Sequence, residues 1–304
     1  MSSTGSIEGF RIDAALVRRL VGAQFPQWAA LPVTPVATGG WDNRTFHLGD
    51  TMNVRLPSAD RYVAQIAKEQ KWLPRLGPHL PLPIPHPVAL GQSSTEFPAP
   101  WSIYSWIAGE TATLERIHDP QKFARDLADF LHALHQADAT GGPPAGAHNF
   151  HRGGWLGIYD SAVRDALAVL GSTIDAHAAT NIWDAALNAP WSGTPVWVHG
   201  DISAGNLLVA NGQLCAVIDF GGVGVGDYAC DLVIAWTLFA ADCRKNFKSA
   251  INADFACWAR ARGWALWKAL ITLADQNGTD AGKADEARRV LAAVIADHFA
   301  AIAR

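Results

Sequence analysis

The sequence predicts an α+β fold, with a small, mainly antiparallel sheet in the N-terminal third and a mainly helical remainder. Three observations carry that reading. Between residues 33 and 106, short apolar runs alternate with polar positions and are separated by Gly, Asp and Pro, the pattern of half-buried strands. From Gly109 onward, apolar residues recur at three- and four-residue spacing, as on one face of a helix. The helical part is interrupted once, at 196–222 (VWVHGDISAGNLLVANGQLCAVIDFGG), where Asn211-Gly212 separates two apolar runs and predicts a tight hairpin. The change of character places a boundary near residue 105, giving lobes of 1–105 and 106–304.

Composition narrows the function classes. At 304 residues, 49% hydrophobic and 17% charged, the chain is long enough to bury a full core and to form two lobes. A net charge of −4 gives no basic footprint for nucleic acid or an anionic membrane surface. Cys215, Cys230, Cys243 and Cys257 form no CxxC pair and read as core residues of a reducing compartment. The N-terminal residues lack the basic and apolar parts of a signal peptide, and no apolar run reaches the ~18 residues of a membrane span. The expectation is a cytoplasmic protein, monomer or homodimer. Thirteen tryptophans are read first as large core residues, with pocket lining as the second reading.

In order, residues 11–31 predict an amphipathic helix (Leu16, Leu20, Phe25) closed by a Pro turn. A short strand then leads to Gly39-Gly40. Strands over 45–48 and 52–56 flank a turn at Gly49-Asp50, and alternation sends Arg55 to the face opposite Val54 and Leu56. Ser58 is the predicted N-cap of a helix that runs to about Leu73 and stops at Pro74. Glu69 falls on its apolar stripe with Tyr62, Ile66 and Leu73. A carboxylate there sits at the wet margin or pairs with a cation, and Arg55 is the nearest in sequence. The Pro-rich stretch 74–100 reads as an extended connector rather than a recognition segment. Strands follow at 88–90 and 101–106.

In the helical part, Phe123, Leu127, Phe130, Leu131 and Leu134 define one helix, ahead of a Gly/Pro-rich break at 141–146. His132 and His135 lie three apart on it, and without a third ligand nearby they read as packing residues. Helical patterns recur around 160–188 and from Asp227 to the C-terminus, with no internal repeat.

The chemistry concentrates on the hairpin. If it forms, Asn206 opens one strand and Asp219 ends the other, with antiparallel ends roughly 5 Å apart. Asp201 lies five residues before Asn206, and Asp219 thirteen after it, followed by Phe-Gly. Base, amide ligand and carboxylate ligand, in that order, suit phosphoryl transfer with magnesium. The metal needs oxygen ligands to offset phosphate charge, and the attacking hydroxyl needs a carboxylate. No GxxxxGK[ST] loop is present, which excludes the P-loop form of this chemistry.

These residues resemble the aminoglycoside phosphotransferase family, the small-molecule antibiotic and metabolite kinases of the protein-kinase-like fold. His199-Gly200-Asp201 stands at the family's HGD, and IDFG matches its metal-binding strand end. Gly39-Gly40 is similar to the nucleotide-covering loop, the Glu69 helix to the one giving the ion-pair carboxylate, and YSWIAGE to the hinge. The likeness covers most of residues 35–240.

The resemblance implies a two-lobe kinase with a nucleotide-binding lobe, 1–105, and a catalytic, acceptor-binding lobe, 106–304. It implies Asp201 as base, Asn206 and Asp219 as Mg2+ ligands, and ATP as donor, with GTP left open. Gly39, Gly40, Arg55 and Glu69 would handle phosphate, and Ser105 and Ile107 would offer backbone groups to the adenine edge. Arg55 stands where the family usually has lysine, keeping the charge with a planar fork. Asp227 and Asp231 fit the region that braces the catalytic loop, or equally a helix cap and first-turn acid.

The implied acceptor is a small-molecule hydroxyl, an aminoglycoside first and a macrolide or other less charged metabolite second. Between 235 and 304 the acids are matched by Arg and Lys, and Trp236, Trp258, Trp264 and Trp267 would suit a bulky acceptor if they are not core. A nucleotide-binding pseudokinase and a metal-dependent hydrolase on His199, Asp201 and Asp219 are the readings from other classes.

Overall fold

The computed structural model describes residues 6–37, 40, 42–275 and 281–303. It divides into two compact units, Met1–Glu110 with Cys215–Gly222, and Thr111–Leu214 with Val223–Arg304.

The first unit opens with α1 (Ala14–Gln24), whose N-cap Asp13 accepts from the Leu16 N–H at 2.9 Å. The helix is shorter than the pattern over 11–31 suggests. Phe25 precedes Pro26 and leaves the helical region (φ −135°), as a residue before proline tends to, and a single 3-10 turn, Pro26–Trp28, follows. The strands are β1 (Val33–Pro35), β2 (Asn43–Leu48), β3 (Met52–Pro57), β4 (Pro87–Gly91) and β5 (Trp101–Ser105). They form one antiparallel sheet of order β1-β2-β3-β5-β4. Alternate residues Phe46, Leu48, Val54, Leu56, Trp101 and Ile103 bury one face with Leu16, Val17, Leu20 and Val21 of α1.

The helix carrying Glu69 differs at both ends from the expectation. The chain enters through a 3-10 turn, Asp60–Tyr62, whose N-cap position is Ala59, and the α-helix begins only after Tyr62, so Ser58 is not its N-cap residue. The helix itself, α2 (Val63–Leu76), passes through Pro74. Proline that late removes only the bond to residue 70, and burial of Trp72, Leu73 and Leu76 holds the final turn. The stripe Tyr62, Ile66, Glu69 and Leu73 is buried as read.

In the second unit, β6 (Glu110–Thr111) lies at the boundary, and α3 (Pro120–Gln136) follows with Asp119 as N-cap and Pro120 at the first turn. Next come α4 (Asp160–Leu170), α5 (Ala176–Asn188), β7 (Val196–Val198), β8 (Leu207–Ala210) and β9 (Gln213–Val217). The chain ends with β10 (Gly224–Gly226), α6 (Ile234–Thr237), α7 (Ala241–Ile251), α8 (Phe255–Ala274) and α9 (Ala281–Ile302). Strands β7 and β10 pair antiparallel, and β8 and β9 are neighbours in a three-stranded sheet of order β6-β8-β9. Asn211 (φ 50°) and Gly212 (φ 75°) both take the left-handed conformation that a type I′ turn demands.

Helix α8 is buried nearly all round, as an internal helix must be to bury so apolar a sequence. Trp236, Trp258, Trp264 and Trp267 are all buried, so the core reading holds for them. The four cysteines are unpaired thiols. Among the described residues, no helix is long and apolar enough to cross a membrane.

Candidate active site

In the first unit the central strand β3 presents Arg55 between two carboxylates. Its Nη1 donates to Glu69 Oε1 on α2 at 3.3 Å, and its Nη2 to Asp219 Oδ1 at 3.2 Å. The Tyr104 hydroxyl on β5 donates to Glu69 Oε2, and the Arg55 guanidinium lies 5.4 Å from the centre of the Tyr104 ring. The Arg55 side chain is 13% exposed, Glu69 4% and Asp219 32%, so the fork is desolvated on the helix side and open on the Asp219 side. Burial works against the Arg55 charge, yet Glu69 and then Asp219 outweigh it and its pKa is raised. Burial, then the Glu69 charge, pushes the Tyr104 phenol well up, so it stays a donor.

The turn carrying Asp219 is gripped from α2. Asp219 itself has φ 65°, an uncommon left-handed geometry that Asp tolerates better than most residues. Two residues on, the Gly221 carbonyl accepts from the buried Lys68 ammonium at 2.6 Å. A Cβ at Gly221 would sit 2.8 Å from Gln65 Oε1, so a side chain there would push aside the Gln65 amide, whose Nε2 donates to Asp42 Oδ2 at 3.0 Å. Of the glycine pair, Gly40 is exposed and Gly39 lies outside the described residues. At the end of β5, the Ser105 N–H is given to the His86 carbonyl and its own carbonyl accepts from Asn53, whereas Ile107 lies beyond the strand.

In the second unit the strand β7 delivers the loop His199-Gly200-Asp201. Gly200 has φ 83°, and its N–H and that of His199 both go to the fully buried Asp231 carboxylate, at 2.7 and 2.8 Å. Burial raises the Asp231 pKa, opposed by His199 and by these two backbone bonds. Asp201 gives its own N–H to His199 Nδ1 at 3.2 Å. Asn206 Nδ2 donates to Asp201 twice, to its carbonyl and to Oδ2, both at 2.9 Å, which presents Asn206 Oδ1 as the atom offered elsewhere.

Both sequence readings of the two later aspartates apply. Asp231 braces the loop, while Asp227 caps the next turn through Ala229 and holds Arg260 with both oxygens, at 2.5 and 3.2 Å. His132 and His135 pack as expected. His132 Nε2 lies 3.0 Å from the Ala250 carbonyl, and the His135 ring packs tilted against Tyr228, 4.5 Å between centres, with burial and then His132 lowering its pKa to about 3.

A family model described as the phosphotransferase enzyme family matches residues 33–264. The chain belongs to that family. An aminoglycoside 3'-phosphotransferase of Escherichia coli is 32% identical over 75 residues, 24% of this chain and 26% of that protein, so the match spans about a quarter of that relative. Among solved structures, the GDP complex of aminoglycoside 2'-phosphotransferase-IIIa superposes with a TM-score of 0.72, at 17% identity, over 94% of this chain and 100% of that one. The apoenzyme of macrolide 2'-phosphotransferase MphH from Brachybacterium faecium gives 0.57, at 22% identity, over 92% and 98%. At these identities the likeness fixes the fold, the kinase-like fold of the phosphotransferases.

Sequence reading overlooked several residues around these clusters. Tyr104 could have been found as an inward-facing aromatic on the strand paired to β3, since Ser102 lies opposite Arg55 and Tyr104 two residues along. Lys68, Gln65 and Arg260 gave no local signal, because their partners lie 153, 23 and 33 residues away.

Proposed function

We propose that this phosphotransferase moves the γ-phosphoryl group of ATP, or of GTP, to a hydroxyl of a small molecule. The acceptor oxygen forms its bond to phosphorus and gives its proton to Asp201, while the Pγ–O bond breaks with its electron pair on the β-phosphate of the departing diphosphate. The observation that carries the reading is the Asn206 Nδ2 bond to Asp201 Oδ2 at 2.9 Å, which orients a carboxylate on a loop whose backbone is tied to Asp231.

The first unit, with Gly39, Gly40, Arg55 and Glu69, is assigned to the nucleotide. Ile107 offers its backbone to the base, and Ser105 the second lone pair of its carbonyl. Magnesium is the metal that the donor set fits, because Asn206 Oδ1 and the Asp219 carboxylate are both hard oxygens and Mg2+ asks few ligands of the protein, taking the rest from phosphate and water. Bound there, it would neutralise charge on the transferring phosphoryl group. Among the described residues no group of three His, Cys, Asp or Glu could hold a metal, which disfavours the hydrolase reading.

For the acceptor, aminoglycosides come first on the strength of the relatives' names alone, and macrolides second. The test is nucleotide consumption across a panel of aminoglycosides, macrolides and hydroxylated metabolites, with Asp201→Ala as control. Acceptor-dependent turnover lost in that variant supports the reading. Magnesium-nucleotide binding without turnover of any acceptor points to a pseudokinase.

A further inference from the structure

Helix α2 places three polar side chains in its buried face, and all three converge on the segment that carries Asp219. Gln65, Lys68 and Glu69 lie three and four residues apart, so they share one side of the helix. All are buried, where a polar group needs a partner. Glu69 reaches Asp219 indirectly, since Arg55 stands between the two carboxylates at 3.3 and 3.2 Å. Lys68 reaches the backbone, its Nζ donating to the Gly221 carbonyl at 2.6 Å. Gln65 flanks the same residue, because a Cβ on Gly221 would lie 2.8 Å from its Oε1.

Asp219 therefore sits between two backbone anchors. Two residues before it, the Val217 N–H is given to the Pro83 carbonyl at 3.2 Å, and two residues after it comes the Lys68 bond. Asp219 itself has φ 65°, a left-handed conformation that in a non-glycine residue persists only where its surroundings hold it. The backbone at 219 sets the direction of the side chain, and so the place where the carboxylate is offered.

The two ties from α2 differ in what a nucleotide does to them. Arg55 is the residue assigned to phosphate, so its hold on the Asp219 carboxylate is shared once a nucleotide binds. The Lys68 bond joins a buried side chain to the carbonyl of a buried glycine, and the charge on the donor strengthens it. Burial lowers the Lys68 pKa to about 8, partly opposed by Glu69, so the ammonium is kept at neutral pH.

We propose that Lys68 is the positioning residue for Asp219, holding its carboxylate aimed at the metal through the Gly221 carbonyl while the nucleotide draws on Arg55. The inference rests on the phosphotransfer reading and on Asp219 as a magnesium ligand. It adds to that site a residue that touches neither metal nor phosphate.

The test is the coupling of metal to nucleotide, read by calorimetric titration of the full chain at pH 7 with ADP or GDP. Each titration is run once in excess Mg2+ and once in EDTA, and the ratio of the two dissociation constants measures how well the protein holds the metal. In Lys68→Met the ratio should fall about ten-fold, the effect of removing a group that orients a metal ligand. Nucleotide affinity in EDTA should stay at the wild-type value. Methionine replaces a buried charge with an apolar chain of like length, and Lys68→Gln is read in the same way if that variant does not fold. Lys71→Met, exposed on the same helix with its ammonium 4.4 Å from the Trp72 ring centre, should change neither constant. An unchanged ratio in Lys68→Met, or a like fall in Lys71→Met, overturns the inference. So does an equal loss of affinity with and without magnesium, which would mean a disturbed Glu69 or a weakened fold. Failure of the underlying reading appears elsewhere, as a coupling that survives Asp219→Ala or as no binding of either nucleotide by the wild type.

Discussion

Asp231 accepts the Gly200 backbone N–H at 2.7 Å from a position 31 residues further along the chain. With the parallel bond from His199 at 2.8 Å, this carboxylate sets the backbone immediately before Asp201. Asp231→Asn keeps the size but turns one acceptor into a donor facing an N–H. Unfolding by urea should show a loss of about 1–3 kcal/mol, the cost of a buried donor left unmet. Turnover should fall while the KM for nucleotide stays near the wild-type value, because Arg55 and Glu69, proposed to serve the nucleotide, belong to the other unit.

Asp201→Ala removes the proposed base without touching the Arg55 cluster. Its kcat should drop by about 10²–10⁴-fold, the usual worth of a positioned general base. Calorimetric titration with Mg-ATP should give a dissociation constant close to the wild type. Weak nucleotide binding in this variant would contradict the role.

Arg55 stands between Glu69 and Asp219, so its two replacements should part company. Arg55→Met leaves Glu69 buried without its cation, and a loss of about 3–5 kcal/mol is expected in chemical denaturation. Arg55→Lys keeps the charge but has no fork to reach both carboxylates, so its stability should lie between the two. Asp219→Ala should preserve the Arg55–Glu69 contact at 3.3 Å and instead weaken Mg-nucleotide binding. An unchanged magnesium dependence in that variant would count against Asp219 as a ligand.

Lys68 gives a pH signature. Burial, partly opposed by Glu69, pushes its pKa from 10.5 down to about 8. The unfolded chain therefore holds more protons than the native state between pH 8 and 10.5, so this contribution to stability is present above 10.5 and lost as pH falls through 8. The unfolding free energy of wild type minus that of Lys68→Met should rise by about 3 kcal/mol from pH 8 to 10.5. A flat difference would mean that Lys68 is not desolvated.

The legible parts of this protein are those written in short windows. The Asn211-Gly212 turn, the Glu69 stripe and the alternation of β3 each depend on residues within about a dozen positions of one another, and each is present in the structure. Helix ends were less legible. Ser58 has a good capping side chain, but an added 3-10 turn moves the cap to Ala59 and the helix start to Val63, and Pro74 was tolerated because packing outweighed a single missing bond. The contacts of Lys68, Gln65 and Arg260 were hidden because each pairs with a distant segment and none repeats with a helical or strand period. Asp227 illustrates a different limit, since its capping of a turn was one of the local readings, whereas its pairing with Arg260, 33 residues away, was not legible.

The first unit is assembled from two separated pieces of chain, Met1–Glu110 and Cys215–Gly222, and this bears on how the protein is made. Synthesis runs from the N-terminus at about 5–20 residues per second, so α2 leaves the ribosome on the order of ten seconds before Asp219 and Gly221 exist. For that interval the nascent unit must carry Lys68 on α2 and Arg55 on β3 with part of their final surroundings still untranslated. The segment that supplies the proposed metal ligand is thus also the last piece of the first unit to arrive, and translation speed through residues 111–214 sets how long the unit waits to be completed.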